Sequence, residues 1–143
     1  MPQTADRILK LQAALKADGI TALLLEPGPA MLYLTGIRWG RSERLFAALI
    51  PQSGEPAWVL PAFEETRARE LLPAGVRIRT WQEDESPFAQ IADILRQGGA
   101  PGRLGVEASV RFFVFAGVRR QLPGWQYGSA AQALKAAGAP DNA

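Results

Sequence analysis

Hydrophobic residues recur along the chain at two spacings, one typical of helices and one typical of buried strands. Leu11 and Leu15 lie at helical spacing, and they predict a first helix over residues 4–17 with Thr4 as its N-cap. The unbroken apolar run at residues 20–25 is typical of a strand covered on both faces. By the same criteria, further strands are expected at residues 45–50, 57–60, 76–81, 103–106 and 125–127, and further helices at residues 63–72, 87–97, 110–121 and 130–137.

The order of these elements predicts the fold class. A five-residue loop at residues 51–55, which contains Gly54, joins two of the strands into a hairpin. The other strands alternate with helices, which is the pattern of an α/β fold with a mixed sheet. The sequence shows no repeat, no low-complexity tract and no linker, so residues 1–143 are expected to form a single domain.

A short segment between Pro29 and Gly36 is ambiguous between a helical turn and a strand. Proline is favoured at the first position of a helix and glycine just after its end, so these two residues favour a helix. The polar loop that follows carries Arg38, Trp39 and Arg41. Guanidinium groups beside a tryptophan can hold a carboxylate and stack on a planar group. The alternative is a surface loop whose tryptophan packs onto the domain as a lid.

The predicted helix at residues 110–121, with Ser109 as its N-cap, is apolar on almost every face because it contains Phe112, Phe113 and Phe115. Such a helix is either enclosed in the core or exposes part of its surface to another protein. The three phenylalanines are therefore candidate interface residues as well as candidate core residues.

Composition narrows the chemistry that is available. The chain has 143 residues, of which 48% are hydrophobic and 21% charged, as in a globular domain. It contains no cysteine and no histidine, which excludes disulfides, thiolate metal sites, imidazole zinc sites and catalysis by Ser-His-Asp or Cys-His groups. Because there is no apolar run long enough to span a membrane and no secretory signal, we expect a cytoplasmic protein without a membrane partner.

The charged residues do not indicate a nucleic-acid partner or a metal. Sixteen basic and fourteen acidic residues give a net charge of +2, and the arginines are interleaved with acids instead of forming a stripe. The acidic groups at residues 64–65 and 83–85 lack the glycine-turn spacing of a calcium loop, and the group at 83–85, between a strand and a helix, is expected to be a solvated turn. We therefore predict no metal site and no nucleic-acid binding in this chain.

The segment Tyr33, Leu34, Thr35, Gly36 resembles the Asn-x-x-Tyr-Leu-Thr-Gly-Phe segment of the creatinase/prolidase N-terminal domain family. The first helix and strand are similar to those of the family, and Gly105-Val106-Glu107 resembles the Gly-x-Glu before its long helix. The likeness extends over essentially the whole chain, although Ala30 stands where the family often has Asn. It implies a three-layer α/β/α sandwich with a mixed sheet of five to six strands, built on a ribonuclease H-like motif.

The resemblance also implies a function. In this family the catalytic domain follows the present region and holds two divalent metal ions on two Asp, one His and two Glu. The chain alone is therefore expected to have no catalytic residue and no cofactor, and to be the N-terminal domain of an Xaa-Pro dipeptidase or aminopeptidase P-like metallopeptidase, either cut from a longer chain or solitary. It would support a homodimer and place Arg38, Trp39 and Arg41 near the partner subunit's active site, where a proline-containing dipeptide or short peptide binds.

Two other readings of the residues stay open. A free-standing module could capture a small anionic ligand through the same Arg/Trp loop. A purely structural dimerisation domain would instead use the surface formed by Phe112, Phe113 and Phe115.

Overall fold

The structure, a computed structural model, describes residues 2–140 of the chain. Within them helices and strands alternate as the sequence predicts, and a short 3-10 turn at Ala62–Glu64 precedes the third helix. The helices are α1 (Pro2–Ala17), α2 (Pro29–Thr35), α3 (Glu65–Leu71), α4 (Pro87–Arg96), α5 (Phe112–Gln121) and α6 (Ala131–Ala136). The strands are β1 (Ala22–Leu25), β2 (Ala47–Pro51), β3 (Ala57–Pro61), β4 (Arg77–Trp81), β5 (Arg103–Val106) and β6 (Gln126–Ser129).

The strands form one six-stranded sheet in the order β4-β3-β2-β1-β5-β6. The strand β2 runs antiparallel to both of its neighbours, whereas the pairs β3–β4, β1–β5 and β5–β6 are parallel. The hairpin between β2 and β3 needs only a tight turn, while each parallel connection carries a helix. The predicted mixed sheet is confirmed.

Helices cover both faces of the sheet and bury a separate core on each. One core lies under α1, α2, α3 and α6, and the other lies under α4 and α5. The strand β1 is apolar throughout because both of its faces are buried. Leu23 and Leu25 enter the first core, and Ala22 and Leu24 enter the second. The molecule is therefore a three-layer α/β/α sandwich.

A glycine sets the distance between the two helices of the second face. A β-carbon added to Gly117 in α5 would lie 2.4 Å from Cδ2 of Phe88 in α4. The two helices can approach this closely only because position 117 lacks a side chain.

The ends of several elements differ from the prediction. The first helix begins at Pro2, so Thr4 lies inside it instead of capping it; proline is readily accepted in a first turn because its missing N–H has no helical partner there. The helix α5 begins at Phe112, and Ser109 is not its cap because its hydroxyl bonds to Glu107. No helix among residues 2–140 is both long and apolar enough to cross a membrane.

Candidate functional site

The segment that ends α2 fixes the direction in which the chain leaves this helix. The Thr35 hydroxyl donates to the carbonyl of Met31 over 2.6 Å and accepts the N–H of Ile37 at 3.2 Å. Gly36 has a φ of +78° and donates its N–H to the carbonyl of Leu32 at 2.8 Å. This left-handed conformation ends the helix and directs the following loop away from the helix axis. Glycine is strongly favoured there because it has no side chain.

Tyr33 and Leu34 fasten the same helix to its neighbours. The Arg7 guanidinium of α1 lies 4.0 Å from the centre of the Tyr33 ring and donates to the Tyr33 carbonyl over 2.8 Å. Leu34 is fully buried in the core under α1. Each of the four residues from Tyr33 to Gly36 thus helps to set the position of the loop that follows.

We call residues 37–46, between α2 and β2, the arginine loop. Its tryptophan, Trp39, is stacked on Phe46 with 4.3 Å between the ring centres and 19° between the planes. The Arg67 guanidinium of α3 lies over the Trp39 ring, 4.3 Å from its centre. Trp39 therefore packs onto the domain through the faces of its ring, and the edge of the indole is the part left to contact a ligand.

Arg41 is partly exposed, and its guanidinium joins the arginine loop to two other segments. Its Nε donates to the carbonyl of Pro27 at 2.8 Å, just after β1. Its two terminal nitrogens donate to the carbonyl and the hydroxyl of Ser109, just after β5, at 2.7 and 2.6 Å. These charge-assisted bonds hold the middle of the loop against the ends of both strands.

A fully buried carboxylate lies beneath Arg41. Glu26, whose side chain is 0% exposed, accepts the backbone N–H of Arg111 at 2.8 Å and two bonds from the Arg111 guanidinium at 3.0 and 2.5 Å. The nearest nitrogen of Arg41 is 3.9 Å from the same carboxylate. Arg111 also donates to the carbonyl of Ser42 at 2.7 Å, which is a second attachment of the loop.

A second buried carboxylate, Glu107, completes the group. It accepts the N–H and the hydroxyl of Ser109 at 2.9 and 2.5 Å, and Ser109 in turn accepts from Arg41. We refer to Glu26, Arg41, Glu107, Ser109 and Arg111 as the Glu26 cluster. Burying a charge is costly unless it is paired or hydrogen-bonded; Glu26 is paired with Arg111, and Glu107 accepts two hydrogen bonds from Ser109.

The Glu26 cluster lies at a topological switch point of the sheet. The strands β1 and β5 are parallel neighbours, and their carboxyl ends lie side by side. The helix after β1 packs on one face and the helix after β5 on the other, which opens a crevice between them. Open α/β sheets bind ligands in such crevices. In this chain the crevice is filled by Arg41 and Arg111, so it serves to anchor the arginine loop.

Arg38 is exposed, as are Arg41 and Ser42, but the rest of the domain does not hold its side chain. It has no ion pair and no hydrogen bond with the residues that the structure describes, and it follows the buried Ile37. Arg44, further along the loop, is paired with Glu83 at 2.6 Å, and this hydrogen bond raises the pKa of the Arg44 guanidinium. Arg38 is therefore a cation available to a ligand, carried on a backbone that is fixed on both sides.

The phenylalanines of α5 divide between core and surface. Val114 and Val118 supply the buried face of the helix, while Phe112 and Phe113 are 79% and 47% exposed on its first turn. Phe115 is half-buried, with its ring edge-on to Tyr127 at 5.5 Å. The exposed pair is thus a surface feature with no role in the core.

The acidic residues of the described chain do not form a metal site. Among residues 2–140 no three acidic side chains come together. In the turn after β4, Glu85 accepts the N–H of Gln82 at 2.7 Å. The exposed residues 83–85 thus lie in a solvated turn.

Sequence reasoning missed the Glu26 cluster, although one signal was available. Glu26 and Glu107 each follow directly after an apolar strand. Acids at the carboxyl ends of two strands converge if those strands are parallel neighbours. The pairing of β1 with β5 was the missing information.

Comparisons with known proteins agree with this architecture. Residues 7–137 match the family model of the creatinase/prolidase N-terminal domain. The chain is 34% identical over 128 residues to an uncharacterized peptidase of Schizosaccharomyces pombe, covering 80% of this chain and 28% of that protein. It is 36% identical over 107 residues to a protein of Mycobacterium tuberculosis named "Probable dipeptidase PepE", covering 73% of this chain and 28% of that protein.

A solved structure extends the likeness to the fold. The crystal structure of dipeptidase PepE from Mycobacterium ulcerans superposes with a TM-score of 0.83 at 31% identity, over 94% of this chain and 36% of that one. The chain thus spans 28% of the length of the curated relatives named above. Because the family model matches nearly all of its residues, the chain belongs to the creatinase/prolidase N-terminal domain family.

Proposed function

We propose that this chain is the non-catalytic N-terminal domain of a dipeptidase of the Xaa-Pro type, and that it contributes to dimerisation and to substrate recognition at the partner subunit's active site. The observation that carries the proposal is the arginine loop, which is anchored by the Glu26 cluster and leaves Arg38 exposed. Family membership and the dipeptidase relatives support the class of the parent enzyme.

The hydrolytic step belongs to residues outside this sequence. The two divalent metal ions that the family resemblance implies do not fit the acidic side chains of residues 2–140, because no three of these side chains are grouped so that they could hold a metal ion. No step of hydrolysis is therefore assigned to this chain, and its contribution is to binding and orientation.

The arginine loop would recognise the charged end of a short peptide. A guanidinium can bind a carboxylate through two parallel hydrogen bonds. Arg38 would bind the C-terminal carboxylate of a dipeptide in this way. Trp39 would offer its indole edge as an apolar wall, and Arg41 would keep the loop backbone in place through Pro27 and Ser109. Binding energy spent in this way orients the substrate before reaction.

The test is kinetic and uses the full-length parent enzyme. Losing one charge-assisted hydrogen bond costs about 1.5–3 kcal/mol, so Arg38→Gln should raise KM for dipeptides by about 10- to 100-fold. A matched control is Arg44→Gln, which removes a loop guanidinium that already has an acidic partner. Unchanged kinetics in Arg38→Gln, in Arg41→Gln and in the double variant would contradict the proposed recognition role.

The exposed aromatic pair on α5 favours the dimerisation part of the proposal. Phe113→Lys should shift the chain from dimer to monomer in sedimentation velocity, because a charge replaces an apolar contact. Leu9→Lys, at an exposed leucine on α1, is the control. Equal behaviour of the two variants would assign dimerisation to another surface or to the rest of the parent.

A further inference from the structure

One of the two edge strands of the sheet, β6, has a side without a partner. Among residues 2–140, β6 pairs with β5 alone. Gln126 donates its N–H to the carbonyl of Gly102 in this ladder. Because alternate residues of a parallel strand face the same neighbour, the peptide groups of Tyr127 and Ser129 point away from the sheet. Such an edge is a template for pairing with another extended segment.

Two adjoining hollows follow this strand beside α5. One, of about 490 Å³, lies at the amino end of β6, where Arg103, Arg119 and Trp125 line it. The other, of about 430 Å³, lies at the carboxyl end and includes the exposed Phe112. Phe115 and Tyr127 line both hollows, so the two form a continuous groove along β6.

The basic end of the groove has one cation on each face of the sheet. Leu104 lies in the core under α4 and α5, so the preceding residue, Arg103, points to the opposite face. There its guanidinium lies against Gly128, where an added β-carbon would be 2.9 Å from the nearest nitrogen. Arg119 comes from α5 on the other face. Neither arginine has an ion pair with the described residues.

We propose that β6 binds an extended segment of another protein as a seventh strand, and that this segment carries two consecutive acidic residues with an apolar residue two positions from the nearer one. Successive residues of a strand point to opposite faces, so neighbouring carboxylates reach Arg119 and Arg103. The apolar residue lies on the Arg119 face and enters the hollow beside Phe112. Backbone bonds to Tyr127 and Ser129 supply the remaining affinity.

The four residues of β6 set the length of the contact. At about 3.3 Å per residue, they match an added strand of about four residues. The order of the side chains in the bound segment sets its direction, because the arginines lie at the amino end of β6 and the hollow beside Phe112 lies at its carboxyl end. A segment whose apolar residue comes before its acidic residues adds antiparallel to β6, and a segment with the acidic residues first adds parallel to it. This inference does not depend on the proposed peptidase role, because it concerns an edge on which the arginine loop does not lie.

The experiment uses the 143-residue chain and synthetic peptides. Ac-Thr-Leu-Thr-Glu-Glu-Thr-NH2 tests antiparallel addition and Ac-Thr-Glu-Glu-Thr-Leu-Thr-NH2 tests parallel addition, each with a Lys-Lys counterpart as control. In a titration followed by ¹⁵N–¹H spectra, the amides of Tyr127 and Ser129 should shift with one acidic peptide and not with its lysine counterpart. Arg103→Gln with Arg119→Gln should raise Kd about fivefold, as expected for two exposed ion pairs, whereas Arg120→Gln should leave it unchanged.

A backbone variant separates strand addition from simple charge attraction. Ser129→Pro removes an outward N–H without removing a bond to β5, and proline is tolerated on such an edge. Ser129→Ala keeps this N–H and loses only the hydroxyl that accepts the N–H of Ala131 at 3.1 Å. The proline variant should lose peptide binding while the alanine variant retains it.

Three results would overturn the proposal: no amide shift with either acidic peptide, equal binding of the lysine peptides, or full binding by a folded Ser129→Pro variant. If the proline variant does not fold, the arginine double variant and the lysine peptides still decide. Self-association of the double variant without peptide binding would mean instead that Arg103 and Arg119 protect the edge from pairing with other copies.

Discussion

The ion pair between Glu26 and Arg111 should make a large contribution to the stability of this domain. Arg111→Met removes the guanidinium but keeps an apolar stem of similar length. Glu26 then keeps the backbone N–H of residue 111 and a more distant charge, Arg41 at 3.9 Å, while it loses the two side-chain bonds at 3.0 and 2.5 Å. The carboxylate remains buried in either case.

The size of the effect follows from burial. Removing one partner of a buried ion pair costs about 3–5 kcal/mol, because the buried charge that remains loses its nearest opposite charge. The Arg111 side chain is 28% exposed, so water can replace part of its contribution and the lower end applies. We expect the free energy of unfolding to fall by about 3 kcal/mol and Tm by about 6–12 °C. Glu26→Met added to Arg111→Met removes both charges and should cost less than the sum of the single changes, by about 2 kcal/mol.

Urea unfolding, followed by the fluorescence of the four tryptophans, measures these differences. The control is Arg44→Met, which breaks a pair of 2.6 Å whose side chains are 40% and 67% exposed. Such an exposed pair contributes little, because water screens the two charges. Equal costs for Arg111→Met and Arg44→Met, or additive costs in the Glu26 double-mutant cycle, would refute the argument from burial.

Two further predictions concern α5 and β6. Gly117→Leu should lower the free energy of unfolding by about 2–3 kcal/mol, because the new side chain must displace Phe88. The control Gly40→Leu, where nothing lies within 4 Å of an added β-carbon, should change this free energy by about 0.5 kcal/mol or less. Equal urea midpoints for the two variants would contradict the close packing of α4 and α5. Burial raises the pKa of Tyr127 above its ordinary value of 10.0 and the charge of Arg119 opposes this, so Arg119→Gln should raise the pKa further in a titration at 295 nm. Because the folded state holds this phenolic proton more tightly, stability should fall as pH rises above about 10, and less so in Tyr127→Phe.

Local patterns were sufficient for most of the fold. The segment between Pro29 and Gly36 is a helix, as the two flanking residues predict, and Ser86 caps α4 by accepting the N–H of Ala89 at 3.2 Å. Such features depend on residues that are close in sequence, so spacing and residue type decide them. Ser109 has equally good capping chemistry, but Glu107 and Arg41 compete for its hydroxyl, and α5 begins further on.

The candidate site depends on contacts between distant parts of the chain, which no local pattern contains. Glu26 and Arg111 are 85 positions apart and meet because β5 lies next to β1 in the sheet. The sequence brings Arg38 and Arg41 together in one loop as equal candidates. The fold distinguishes them, because Pro27 and Ser109 accept hydrogen bonds from Arg41, whereas Arg38 has no hydrogen bond or ion pair with the described residues.

The neighbour relation between β1 and β5 also bears on how the protein is made. Thr21, just before β1, bonds to Arg103, which is 82 positions later, so the ribosome must add about 80 residues before β1 gains its second partner. At about 5–20 residues per second, the most apolar strand of the sheet stays an open edge for several seconds. During that interval the nascent chain offers Ala22–Leu25 to any other extended chain. The yield of soluble protein should therefore depend on the speed of translation between β1 and β5, and on chaperones that shield β1 until β5 has been made.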